Sequence, residues 1–173
     1  GLPYVSGAMK AAGLNCFCLN LNHTEGKVED ILQAFMEEKS IDALFTGGTS
    51  GQYYPVKKVI DVARKVKPEL FILVGGGMIT ADPIPAMEAL EVADVGVIGE
   101  GEITDVEVAR ALQNGTTFDE IDGIIYQQYG EWMITNPRKE IDDLDSIPWP
   151  DYDGFEFEKT LDSTAAVAGV NAL

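Results

Sequence analysis

One histidine, two cysteines and twelve basic residues are all that this 173-residue sequence holds of three residue types that carry much of protein chemistry. Acids number 29, so the formal charge is −17. Nucleic-acid binders neutralise phosphates with clustered Lys and Arg, so nucleic acid is excluded as a partner. The same field opposes a highly charged anionic ligand unless a nest of backbone N–H groups overcomes it. A neutral or cationic ligand, or one with few phosphates, is favoured. No apolar run is long enough to span a bilayer, and the amino end lacks the basic region and apolar stretch of a signal peptide. No membrane partner is therefore expected, and a cytoplasmic location is the default. With a single imidazole and no G-x-S-x-G, no Ser/His/Asp arrangement is visible.

Cys16 and Cys18 are the only cysteines. On an extended segment they point to the same face, yet they lie too close in sequence for an easy disulfide. The plainer expectation is two small buried hydrophobes in a reducing compartment; the alternative is a redox or metal role.

What is present is a repeating unit: a short apolar run, a turn-forming loop, then an amphipathic helix. The apolar runs cover residues 16–21, 43–46, 71–74 and 95–98. They are nearly continuous in hydrophobicity and bounded by Gly or polar residues, as expected for strands covered on both faces. Val28, Ile31, Leu32, Phe35 and Met36 recur at helical spacing, with acids off that stripe. Pro55 sits where a helix can start, ahead of Val56, Val59, Ile60 and Ala63. Asp82–Pro83 reads as an N-cap and first-turn proline. Thr104 and Glu107 have capping-box spacing, and Gly115 suits a helix end.

Strand alternating with helix implies right-handed crossovers and a doubly wound parallel α/β sheet. Residues 1–118 form that domain on this reading. An antiparallel hairpin is expected within 119–137, its strands at 123–129 and 131–135 flanking Gly130. Residues 138–173 read as an extended linker, rich in Asp and Pro at first and small and apolar at the end. The start is unusual: residues 3–12 read as a helix closed by Gly13, with no strand ahead of it. Either the sequence begins one element late, or a neighbour fills the position, which would favour a homo-oligomer.

In open parallel sheets ligands bind at the carboxyl ends of the strands. Three loops there share one character. Thr46, Gly47, Gly48, Thr49, Ser50 and Gly51 follow the second run; Gly75, Gly76, Gly77 and Met78 follow the third; Gly99, Glu100, Gly101 and Glu102 follow the fourth. Glycine lets the backbone approach a ligand closely, and Thr and Ser add hydroxyls. One such loop is equally well a tight turn; three on one sheet edge favour a binding site. None matches a phosphate fingerprint, and Glu100 and Glu102 would oppose a pyrophosphate, so a dinucleotide or ATP is disfavoured. Glu100 and Glu102 read as favourable first-turn charges before they read as an acid/base pair.

Together these residues resemble the cobalamin-binding domain that precedes the radical S-adenosylmethionine (SAM) core in many bacterial and archaeal enzymes. The likeness runs through residues 2–8, Gly75-Gly76-Gly77, residues 93–102 and 122–126, and the Leu-Asp-x-x-Pro-x-Pro-Asp pattern of residues 144–151. It implies a flavodoxin-like fold holding cobalamin on the strand carboxyl ends, with Thr46, Gly47, Gly48, Thr49, Ser50, Gly75, Gly76, Gly77, Met78, Gly99, Glu100 and Gly101 as the cofactor surface. The family's C-x-x-x-C-x-x-C cluster motif is missing, since only two cysteines exist. The resemblance therefore assigns SAM, a [4Fe–4S] cluster, and methyl transfer or related radical chemistry to a downstream radical SAM domain of the same parent chain, leaving this part without catalytic residues. His23 and Gly26 have the H-x-x-G spacing of a lower cobalt ligand, but Leu21 stands where an orienting Asp belongs. His23 is thus expected not to ligate cobalt, and no metal ligand is assigned. The alternatives are a ligand-free flavodoxin-like docking or regulatory module, or a flavin or nucleotide binder.

Overall fold

The structure, a computed structural model, describes residues 1–168. Helix α1 (Leu2–Ala11) and α2 (Val28–Lys39) precede strand β1 (Ala43–Gly47), α3 (Tyr53–Val66) and β2 (Phe71–Gly75). Two short helices, α4 (Gly77–Ala81) and α5 (Pro83–Leu90), lead to β3 (Val95–Val97) and α6 (Gly101–Asn114). A hairpin of β4 (Ile124–Gln128) and β5 (Glu131–Ile134) follows, and α7 (Phe157–Ala168) closes the described chain.

The five strands form one sheet in the order β1-β2-β3-β4-β5. β1, β2 and β3 are parallel, with Ala43 opposite Phe71 and Leu73 opposite Val95. β4 pairs antiparallel to β3, and β5 to β4. The hairpin expected at 119–137 thus extends the main sheet.

Alternation sends successive side chains to opposite faces. Ile72, Val74 and Ile125 pack under α2, α3, α4 and α5, together with Leu32, Ile60, Ile79 and Met87. Leu73, Val95 and Val97 face the other way, against Val108 and Ala111 of α6. Helix α1 joins that second face through Val5 and Met9 beside Ala109. The sheet is wound on both sides, and the fold is flavodoxin-like α/β. Ile72 and Val74 are fully buried, each stabilising the fold by roughly 2 kcal/mol through area removed from water. At Gly96 the layers close tightly: a Cβ there would lie 2.7 Å from Ile125 and 2.8 Å from the Met87 sulfur.

At the amino edge of the sheet Arg64 closes the structure. Its guanidinium donates to the carbonyls of Pro68, Leu70 and Val92 and to Asp94, 2.7 Å away, which also accepts from Ile72 N–H.

Three expectations are corrected. Residues 16–21 form no strand, and Leu21 already opens a 3-10 turn: among the described residues β1 is the last paired strand on that side, and no strand lies beside the segment to complete a ladder. Helix α6 begins at Gly101, with Glu100 as N-cap. Thr104, read as a cap, is instead fully buried inside the helix, its hydroxyl donating to Glu100 O at 3.3 Å. Residues 157–168, expected as extended linker, are helical; Phe157 at the start of α7 stacks on Tyr152, ring centroids 4.8 Å apart.

Candidate functional site

The three glycine-bearing loops meet at the carboxyl edge. Gly47 lies directly against Gly75, where a Cβ would sit 2.5 Å from the Gly75 carbonyl oxygen. Gly76 adopts φ +88° and faces Gly48 at similarly close range. Gly48 N–H donates to Gly75 O at 3.2 Å, and Met78 N–H donates to Gly48 O at 3.1 Å. The Thr80 hydroxyl then ties in the third loop, accepting from Gly99 N–H at 2.9 Å and donating to Gly76 O at 3.2 Å. Three loops thus become one continuous ridge, held by backbone contacts between the first two and by the Thr80 hydroxyl to the third. Gly77 and Gly99 are exposed, with nothing within 4 Å of where a side chain would start. Their bare backbone is open to a flat, bulky ligand.

Each expected site residue can now be placed. Thr46 is half-buried, next to last in β1, and Thr49 caps the 3-10 turn Ser50–Gln52 in a reciprocal box with Gln52. Ser50 is exposed on that turn. Met78 turns its side chain into the core and uses its N–H on Gly48, so only its backbone shares the ridge. Glu100 reaches away from the glycines, its carboxylate accepting from Ile141 N–H at 3.0 Å, and so fastens the arm that follows the hairpin. The single imidazole is elsewhere: His23 Nε2 lies 3.0 Å from the Thr160 hydroxyl of α7.

Two polar features went unread in the sequence. Asp105, in the first turns of α6, is buried beneath Gly101, and its Oδ1 has no hydrogen-bond partner. Burial, with Glu102 nearby, pushes its carboxyl up to about 7. The second is a clamp around Asp151. Asp151 Oδ2 accepts from Ser6 Oγ at 2.6 Å, Lys10 Nζ at 2.5 Å and the Cys18 thiol at 3.1 Å, while its backbone N–H donates to Pro3 O. Gly7 has no room for a Cβ beneath the Trp149 carbonyl. Burial pushes the Asp151 carboxyl up, but the bonds from Lys10, Ser6 and Cys18 outweigh it and hold the group well below the usual carboxylate range. The two cysteines, expected as buried hydrophobes, are half-buried members of this polar cluster. The neighbouring Cys18 thiol lowers Cys16 to about 6, against the opposing effect of burial, while Cys18, bonded to Asp151, is pushed up and keeps its proton. Only the Pro-x-Pro-Asp pattern hinted at Asp151; its partners lie some 140 residues away in sequence.

An α/β sheet with an open glycine ridge at its carboxyl edge defines a ligand-binding domain of the doubly wound class. Residues 1–109 match the B12 binding domain family, and the chain belongs to that family. It is 28% identical over 139 residues to an uncharacterized methyltransferase of Pyrococcus horikoshii, covering 78% of this chain and 30% of that protein. It is 30% identical over 104 residues to an uncharacterized protein of Methanocaldococcus jannaschii, covering 60% and 19%. Among solved structures it is similar to the radical SAM methyltransferase TsrM of Kitasatospora setae with cobalamin and a [4Fe–4S] cluster bound (TM-score 0.71, 18% identity, 86% of this chain and 28% of TsrM). It is likewise similar to the cobalamin-dependent SAM radical enzyme OxsB with aqua-cobalamin and SAM bound (TM-score 0.70, 18% identity, 91% and 22%). The chain spans less than a third of the length of each of these proteins.

Proposed function

We propose that this chain is the cobalamin-binding module of a radical SAM enzyme, and that the corrinoid rests on the ridge formed by residues 46–50, 75–78 and 99–101. The observation carrying this reading is the continuity of the ridge: three loops bonded to one another through Gly48, Gly75, Gly76 and Gly99, with Gly77 and Gly99 bare. Glycine backbone admits a broad ring system at close range, and the Thr49 and Ser50 side chains offer hydroxyls at its rim. The acidic surface around Glu100 and Glu102 suits a ligand with a single phosphodiester better than one with a pyrophosphate.

When bound, cobalamin supplies a cobalt-centred carrier for a methyl group, or another role set by the catalytic domain. This chain's own residues bind and orient. His23, engaged with Thr160, does not ligate cobalt. The Asp151 clamp and the Glu100–Ile141 bond fix the direction in which the chain leaves the domain, toward a radical SAM partner that supplies the cluster and SAM.

Titration of the purified protein with hydroxocobalamin tests the reading. The expected result is one equivalent retained through gel filtration, with a visible spectrum unchanged by His23→Ala. Tight flavin or nucleotide binding without cobalamin binding would replace it with the third alternative, and binding of none of these with a ligand-free docking module. A C-x-x-x-C-x-x-C motif in the sequence following Leu173 is the matching expectation for the parent enzyme.

A further inference from the structure

We infer that a cavity at the amino edge of the sheet, at the opposite end of the strands from the glycine ridge, is a binding site for a small organic ammonium ion. The cavity measures about 730 Å³ and is lined by Arg64, Asp94, Phe118, Asp119, Tyr126 and Trp132. That volume is within the span of small-molecule sites. The cavity exists because neighbouring strands differ in length. β3 has three residues, and its register with β4 stops where Val95 faces Tyr126. Gln127 and Gln128 run on past that point, paired with Trp132 and Glu131 of β5 but with no residue of β3. The overhang of β4 leaves a notch beside Ala93 and Asp94.

The acids around the notch differ in their partners. Asp94 meets Arg64 at 2.7 Å, and Glu91 meets Lys57 at 2.8 Å. Asp119 is bonded only to neutral groups: its Oδ1 accepts from the Tyr126 hydroxyl at 2.5 Å and from Gln128 Nε2 at 3.3 Å. Among the described residues it forms no ion pair. Bonds from Tyr126, Thr117 and Gln128 hold its carboxyl below the usual range, and the bond to Asp119 pushes the Tyr126 phenol up to about 12. The proton stays on the phenol and the charge on the carboxylate.

Aromatic rings stand beside that charge. Phe118 packs between Phe71 and Tyr126, its ring centroid 5.9 Å from each. Trp132 borders the cavity from the other face of the sheet. A carboxylate without a cation, set among π-faces, selects an organic cation: the carboxylate pairs with the charge, and the rings attract it while covering its carbon body. An anion would meet Asp119 and the field of a chain charged −17. A metal ion needs several donor side chains, and among the described residues no group of three His, Cys, Asp or Glu could hold one.

The test titrates the chain with phenethylammonium at about 150 mM salt, which screens the general attraction of an acidic surface. Backbone amide and indole N–H shifts in NMR spectra report the site. One equivalent is expected to bind saturably, with the shifts concentrated at Asp119, Gln127, Gln128 and the Trp132 indole. Phenethyl alcohol, of the same shape without the charge, is expected to bind about tenfold more weakly, and phenylacetate not to bind. Asp119 is exposed, so Asp119→Asn should keep the fold, bind phenethylammonium about tenfold more weakly, and bind the alcohol as the parent does. Any of four results would overturn the inference: no saturable binding of phenethylammonium, equal affinity for the ammonium and the alcohol, an unchanged affinity in Asp119→Asn, or shifts spread over the acidic surface away from the notch. None of these readouts involves cobalamin, so the outcome is independent of the proposed cofactor.

Discussion

The two flanks of β1 are built from similar residues and differ in what surrounds them. On the β2 side, Phe71–Gly75 is paired on both edges and covered on both faces, and the hairpin seals the far end of the sheet. On the other side Ala43–Gly47 faces a groove, and the adjoining extended segment is secured by a polar clamp instead of a ladder. Apolar sequence alone does not make a strand. A neighbour with free N–H and C=O groups at about 4.8 Å does.

The largest test of that difference is a pair of truncations. Ile72→Ala should cost about 4 kcal/mol in urea unfolding, since Ile72 is fully buried and its neighbours are fixed from both faces. Leu44→Ala, one strand over, should cost about 1 kcal/mol, because Leu44 is only half-buried beside the groove. Equal costs would break the comparison.

Glycines give the next contrast. Gly96→Ala should destabilise by about 2 kcal/mol, because Ile125, Met87 and Ile79 all stand at or within 3.0 Å of the added carbon. Gly77→Ala meets open space; its stability should stay within roughly 0.5 kcal/mol of the parent, while cobalamin binding in the same titration falls at least severalfold. A Gly77→Ala protein that binds cobalamin as well as the parent would move the ligand off the ridge.

These contrasts also show how much could be read from sequence. The apolar runs at 43–46, 71–74 and 95–98 and the stripe from Val28 to Met36 are local patterns, and each became the expected element. The glycine loops were visible because backbone freedom is written in residue type. Residues 16–21 have the same local pattern as β1, yet a ladder needs a paired neighbour, and among the described residues no strand pairs with them. Thr104 imitates a cap because spacing cannot show that Glu100, three residues after Val97 of β3, already starts the turn. Asp151 and Lys10 meet across the whole chain, and Asp105 is buried in a helix that packs against α1, far away in sequence; no window along the sequence contains either fact.

Asp105 offers a pH-dependent test. Its folded pKa, raised to about 7, lies above an unfolded value near 4, so between those limits the folded state holds a proton that the unfolded state has lost. Stability from this group is therefore full at low pH, falls as pH rises from about 4 to about 7, and is flat above. Asp105→Asn removes the charged form and should stabilise the protein at pH 8 by about 2 kcal/mol while flattening that slope. Urea midpoints at pH 5 and pH 8 check it; an unchanged slope would mean that the carboxylate finds a partner.

The clamp should respond with the opposite sign and a smaller size. Asp151 is depressed, so its contribution is present above the ordinary carboxylate pKa near 4 and disappears as pH falls below it. Asp151→Asn keeps the shape but weakens the charge-assisted bonds from Lys10 and Ser6, at a cost of about 1 kcal/mol. That cost should appear as faster amide exchange at Asp151, whose N–H bonds Pro3 O, and not at Ile72 in the sealed half of the sheet. The thiols provide a second readout. With its pKa lowered to about 6, Cys16 should be alkylated by iodoacetamide at pH 7 well before Cys18, which keeps its proton. If the two cysteines react at equal rates in the parent protein, the polar contacts do not organise this flank, and residues 16–21 are held only by the apolar packing of Cys16 and Leu19.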